Sequence, residues 1–184
     1  MNRINYKDDI VVFNNFISED ECNSILKYWE DSTIKGRMQW PWGNNSFNNA
    51  FGSTMIYNDI EITKFGLPID YFANLEKKII EATELVSSYK IRKIGAFPQK
   101  WMKGAYASFH YDNSGKDSSV QWATGLYLNN DFEGGELQFH DRPLEIKPTP
   151  GMLAIFHGGN NLHGVKIITS GTRYKISGFW GKEE

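Results

Sequence analysis

The sequence predicts an α+β chain in which two early helices cover a β-sandwich or jelly roll. Three observations carry that reading. An apolar stripe at helical spacing follows a capping signal near the N-terminus, and a second stripe of the same period ends at Ser88. After Tyr89 the chain changes to short stretches rich in Val, Ile, Thr, Phe, Tyr and Trp, separated by turn clusters. The 184 residues read as a single domain, residues 1–184, with no internal repeat and no interdomain linker. A chain of this size buries roughly 70% of the surface its unfolded form exposes, enough for a true core.

Taken in order, Ile10 to Phe13 is an apolar run suited to a strand, and Ser18-Glu-Asp-Glu21 has the form of a capping box that opens a helix. Cys22, Ile25, Leu26 and Trp29 then fall at i, i+3, i+4 and i+7, one buried stripe, with Ile17 placed to close a hydrophobic staple on Cys22. Between Thr33 and Asn58 the pattern gives way to Gly, Asn, Ser and aromatics, including Trp40-Pro-Trp42, and reads as a long surface loop or a lid over a substrate. Pro68 suits a first helical turn, and Phe72, Leu75, Ile79, Ala82 and Val86 recur at helical spacing. Beyond Tyr89 the turn clusters Asn113-Ser-Gly, Asn129-Asn-Asp, Glu133-Gly-Gly and Pro148-Thr-Pro-Gly divide about eight short antiparallel strands. Gly134-Gly135 reads as a hairpin turn rather than a phosphate loop, because no helix carrying a P-loop lysine follows.

The net charge of -2 is spread along the chain, so no basic stripe points to nucleic acid and no polybasic cluster points to a membrane surface. The polar start, the lack of a long apolar run and the single cysteine, Cys22, give a cytoplasmic expectation, with Cys22 in a packing role.

The chemistry concentrates near the middle of the chain. Trp101 to Asp112 reads as one strand on which Met102, Gly104, Tyr106, Ser108, His110 and Asp112 share a face. An imidazole and a carboxylate side by side can take two neighbouring positions on a metal. A third ligand from elsewhere completes the 2-His-1-carboxylate triad of non-haem Fe(II) oxygenases. His163, between two strand-like segments, is the main candidate for that place, with His157 its rival. His140 reads as a solvated or structural residue.

From Ala105 to Trp180 the sequence resembles the 2-oxoglutarate/Fe(II) dioxygenases, particularly their prolyl 4-hydroxylase-like branch. The resemblance is carried by His110-Tyr-Asp112, Thr124-Gly-Leu-Tyr-Leu-Asn129, Phe132-Glu-Gly-Gly-Glu-Leu-Gln-Phe139, Pro150-Gly-Met-Leu-Ala-Ile-Phe156, Leu162-His163 and Gly171-Thr-Arg173, in that order. It implies a double-stranded β-helix core with the N-terminal helices packed on the larger sheet. It also implies that His110, Asp112 and His163 ligate Fe(II), that Arg173 pairs with the distal carboxylate of 2-oxoglutarate, and that Tyr127 donates its hydroxyl to the same group. Ala123 and Gly125, on the strand face of Tyr127, leave room for a bound acid.

The implied reaction couples O2 and decarboxylation of 2-oxoglutarate to hydroxylation of a C-H bond, with ascorbate as the reductant that rescues iron. A prolyl residue in a peptide or protein is the implied substrate; a free amino acid, small metabolite or modified base is the alternative. A noncatalytic jelly-roll binding module is the rival from another class. No membrane or nucleic-acid partner is expected, and oligomeric state is not encoded legibly. Two departures from the family pattern stand out. Ala107 occupies the place three before the first ligand histidine where many members have Tyr, leaving Tyr106 one position off. An extra residue before Trp180 makes either Phe179 or Trp180 the pocket aromatic.

Overall fold

The computed structural model describes residues 2–7, 9–31, 40–41, 50–52, 69–113 and 119–184. Two antiparallel sheets dominate. The larger has nine strands and runs, edge to edge, β1 (Asn2–Lys7), β2 (Ile10–Asn14), β11 (Leu153–His157), β7 (Trp122–Tyr127), β13 (Ile168–Lys182), β5 (Ile91–Met102), β4 (Ala50–Gly52) and β3 (Trp40–Pro41), with β8 (Phe132–Gly134) also paired to β13. The smaller, of four strands, runs β10 (Leu144–Ile146), β9 (Leu137–Phe139), β12 (His163–Val165) and β6 (Ala107–His110). This is a jelly roll, its core filled by inward residues of both sheets: Val12, Ala123, Tyr127, Ala154 and Phe156 from the larger meet Leu137, Phe139 and Ile146 from the smaller.

Helix α1 (Glu19–Asp31) opens with the capping box read from the sequence. The backbone N–H of Ser18 donates to Glu21 Oε2 at 2.8 Å, and that of Glu21 donates to Ser18 Oγ at 3.1 Å. Two N–H groups that a helix start leaves unpaired are thereby satisfied. Ile17, Cys22 and Ile25 are buried, whereas the side chain of Trp29 lies outside the described residues. Helix α2 (Ile69–Ser87) buries Leu75, Ile79, Ala82 and Val86. Both helical stripes join one cluster with Val11, Phe13, Trp122, Leu126, Leu153, Ile155, Ile176 and Trp180, all from the larger sheet. Because side chains alternate along a strand, the larger sheet shows these residues to the helices and its other face to the smaller sheet. Cys22 is a packing residue there, its thiol pushed up to about 11 by burial. Among the described residues no helix is long and apolar enough to cross a membrane.

Several elements differ from the sequence reading. The segment read as a loop from Thr33 to Asn58 contains β3 and β4, which extend the larger sheet beyond β5; the rest of it, and the lid reading with it, lies outside the described residues. The polar β1 gave no periodic signal because five of its six residues are exposed and it is held by backbone pairing to β2. Thirteen strands are present among the described residues, and β5 and β13 are long, at 12 and 15 residues. Gly134-Gly135 is not a hairpin turn: β8 pairs with β13, whereas β9 belongs to the smaller sheet. Its two positive φ angles, 79° and 72°, carry the chain from one sheet to the other, a conformation glycine adopts without steric cost.

Candidate metal centre and its cavity

Trp101 to Asp112 does not form a single strand. Strand β5 stops at Met102, Gly104 takes a φ of 89°, and its N–H donates to Ile168 O at 2.8 Å, so the chain turns before β6 begins at Ala107. Asp112 lies beyond the end of β6, in a turn held by its own N–H donating to Gly158 O at 3.0 Å. Its carboxylate reaches His110 by way of that turn rather than by strand alternation. The third residue arrives by sheet pairing, for His163 of β12 stands directly opposite His110 of β6. Their rings are 4.4 Å apart between centroids.

Both histidines are oriented by backbone carbonyls. His110 Nδ1 lies 2.7 Å from Ser108 O and His163 Nδ1 lies 2.9 Å from Asn161 O. With the proton on Nδ1 donated to each carbonyl, Nε2 presents its lone pair, the arrangement that orients a metal-binding imidazole. The two Nε2 atoms each stand 3.5 Å from a different oxygen of Asp112. One ligand atom from each of the three residues lies within 4.8 Å of the others.

Electrostatics sharpens the picture. Burial drives His163 down to about 4, with the Asp112 charge only partly opposing it, so the ring is a neutral donor near neutral pH. Burial also pulls on His110, but the Asp112 carboxylate facing Nε2 and the Ser108 carbonyl at Nδ1 outweigh that and leave it raised. Asp112, penalised by burial, is nevertheless held below the usual carboxylate range by His110 and His163. Its Oδ2 is buried and has no hydrogen-bond partner. A buried carboxylate oxygen without a donor is costly unless a cation satisfies it, and two imidazole nitrogens aimed at the same point supply the rest of a metal's ligand set. The residues therefore fit a divalent ion of the kind bound by imidazole and carboxylate.

His157 lies outside this cluster, edge-on to Trp122 with ring centroids 5.1 Å apart. His140 is exposed beside Asp141, 3.0 Å away. Beneath the triad lies a cavity of about 50 Å³, lined by Gln99, Tyr127, Phe156, Lys175, Ser177 and Phe179 among others. Phe179 is thus the pocket aromatic. Trp180, the next residue along β13, faces the helix side, its Nε1 donating to Thr124 Oγ1 at 3.0 Å; the bulge in this part of the β13–β5 pairing lies on β5, where Ile94 falls between the partners of Phe179 and Trp180. Tyr106 is not among the residues lining the cavity.

Arg173 is fully buried behind that cavity, its guanidinium 4.4 Å from the Trp101 ring centroid and 5.8 Å from that of Tyr127. Its Nη1 donates to Gly135 O, the carbonyl at the crossover between the sheets, while Nε and Nη2 have no partner. Nearby, Asn129 ties down the start of the arginine strand by accepting from Tyr174 N at 2.8 Å and donating to Thr172 O at 2.7 Å.

Three contributors were not read from the sequence. Lys175 lies two residues beyond Arg173 and so shares its strand face, a parity visible in the sequence once Arg173 is singled out. Gln99 sits opposite Lys175 on β5 and accepts from Trp101 Nε1 at 3.1 Å and from Ser177 Oγ at 2.9 Å. Gly158 leaves room for Asp112, since a Cβ there would lie 2.2 Å from Asp112 Oδ2. Nothing in the sequence distinguishes Gly158 from an ordinary turn glycine.

Residues 98–181 match the family model described as the 2OG-Fe(II) oxygenase superfamily. A 58-residue stretch is 43% identical to human prolyl 3-hydroxylase 2, a match covering 28% of this chain and only 8% of that protein's length. Among solved structures, a prolyl hydroxylase from Trichoplax adhaerens, in complex with a hypoxia inducible factor peptide fragment, superposes with a TM-score of 0.74 at 18% identity, over 96% of this chain and 84% of that one. A prolyl-4-hydroxylase from Pseudomonas putida gives the same TM-score of 0.74 at 16% identity, over 96% and 94% of the two chains. Residues 98–181 are thus similar to the 2OG-Fe(II) oxygenase superfamily, and the chain as a whole shares the jelly-roll fold of the two prolyl hydroxylase structures.

Proposed function

We propose that the chain is an Fe(II)- and 2-oxoglutarate-dependent dioxygenase that hydroxylates a prolyl residue in a peptide or protein. The observation that carries this reading is the buried Asp112 Oδ2 without a hydrogen-bond partner, with two imidazole Nε2 atoms aimed at the same carboxylate from 3.5 Å. His110, Asp112 and His163 would hold the iron, and the cavity beneath them would take the diacid, with Arg173 and Tyr127 at its charged far end. Bound iron and cosubstrate supply the oxidative chemistry, in which O2 is consumed, 2-oxoglutarate yields succinate and carbon dioxide, and one oxygen atom enters the substrate C-H bond.

The protein residues have separate tasks. Ser108 O and Asn161 O fix the two imidazoles, Gly158 leaves space for the carboxylate, and the apolar walls from Leu137, Phe156 and Phe179 keep water from the reacting atoms. Formal charges of +2 on iron, -1 on Asp112, -2 on the diacid and +1 on Arg173 cancel. The prolyl substrate is supported by the likeness to prolyl 3-hydroxylase 2 and to the two prolyl hydroxylase structures. A cytoplasmic setting and ascorbate as reductant accompany this reading.

The test is succinate release on addition of Fe(II) and 2-oxoglutarate, together with a 16-dalton gain on proline-containing peptides. Asp112→Ala is expected to abolish both. Undiminished release from that variant removes the triad, and a mass gain only on small metabolites removes the peptide substrate.

A further inference from the structure

Among the described residues that line the cavity, Lys175 is the one lysine or arginine. It projects from β13 on the same face as Arg173, directly opposite Tyr127 of β7 and Gln99 of β5, so these three form one rank across the inward face of the larger sheet. Arg173 belongs to the next rank, opposite Trp101, and is not among the residues that line the cavity. The lysine ammonium lies 5.4 Å from the Trp101 ring centroid and the guanidinium 4.4 Å, so one indole supports both cations.

Among the described residues, neither cation has a carboxylate within ion-pair distance. Two like charges set into a protein wall without an anion are unfavourable, and burial followed by the Arg173 charge pushes Lys175 down to about 7. The opposing influence is Asp112, so Lys175 feels the triad on one side and the guanidinium on the other. A carboxylate entering from the cavity therefore meets Lys175 before it reaches Arg173.

Resting on the dioxygenase reading, we infer that Lys175 is the cavity-side anchor for the distal carboxylate of the diacid, with Arg173 backing it from inside the wall. The pocket then grips its cosubstrate with two successive cations. Lys175 thereby becomes a determinant of selectivity for 2-oxo diacids over 2-oxo monoacids.

The test uses protein loaded with Mn(II), titrated calorimetrically with 2-oxoglutarate and with 2-oxobutyrate, which lacks the distal carboxylate. Lys175→Met keeps the length of the side chain and removes the charge; Lys175→Gln serves as the second variant if Met alters the melting temperature. The expected result is at least a tenfold weaker affinity for 2-oxoglutarate, a change below twofold for 2-oxobutyrate, and unaltered Mn(II) uptake. Equal or tighter binding of 2-oxoglutarate by the variants, with the wild type binding normally, overturns the anchor and makes the lysine a plug in the cavity while sparing the dioxygenase reading. If the Mn(II)-loaded wild type itself fails to bind 2-oxoglutarate, both fall together.

Discussion

At the scale of single residues, the site depends on small groups placed to leave room for charged ones. Gly158 has no left-handed backbone demand, yet a Cβ on it would come within 2.9 Å of both Cβ and Cγ of Asp112 and nearer still to Oδ2. Contacts that short cannot persist, and a carboxylate held by its own turn has little space to retreat into. Gly158→Ala is therefore expected to weaken metal binding by about 10–100-fold, the range seen when supporting groups around a metal site are lost, with little change in fold. Metal titration alongside far-UV circular dichroism checks this; wild-type affinity in the variant would mean that the carboxylate is not confined there. On the proposed reading Arg173→Ala acts differently, because it would remove a charge-assisted partner of the diacid and no metal ligand. It should cost diacid binding about 1.5–3 kcal/mol and leave metal uptake intact, as separate calorimetric titrations of metal and 2-oxoglutarate would show.

At the scale of elements, what the sequence made legible follows periodicity. Helix α1 was readable because its capping box and stripe are local, and Ser18→Ala should destabilise the protein by about 1 kcal/mol, measured as a lower urea midpoint at unchanged slope. Helix α2 was readable from Leu75, Ile79, Ala82 and Val86 for the same reason. Strand β1 was not, since its six residues are tied by backbone pairing and carry no buried face to pattern. The histidines and Asp112 could be named from their chemistry and order, but the path joining them could not. The break at Gly104 and the turn at Asp112 depend on hydrogen bonds to Ile168 and Gly158, residues about 45 or more positions away along the chain, which no local pattern reports. Lys175 escaped notice because a lysine in a strand ordinarily reads as solvent-facing, and only the location of the cavity shows otherwise.

At the scale of the whole molecule, the two sheets divide the work. The smaller sheet and the turn that leaves it hold His110, Asp112 and His163, whereas Tyr127, Arg173 and Lys175 stand on the larger. On the proposed reading, a metal alone would tie together groups at one edge of the small sheet, where β6 and β12 meet, and a diacid spanning metal and cations would brace one sheet against the other. Ligands that bind only the folded state stabilise it by mass action, by about 2.7 kcal/mol at a hundredfold excess over the dissociation constant. The local pattern of that gain is the sharper prediction. Mn(II) should slow amide hydrogen exchange in residues 107–110 and 163–165 while leaving β7 and β13 near their metal-free rates. Adding 2-oxoglutarate should then extend protection to residues 122–127 and 168–182, and chelation should reverse both steps. Protection of the larger sheet by metal alone would mean that the ion is not confined to the three proposed ligands. A diacid effect limited to the smaller sheet would mean that Arg173 and Lys175 do not hold its far end.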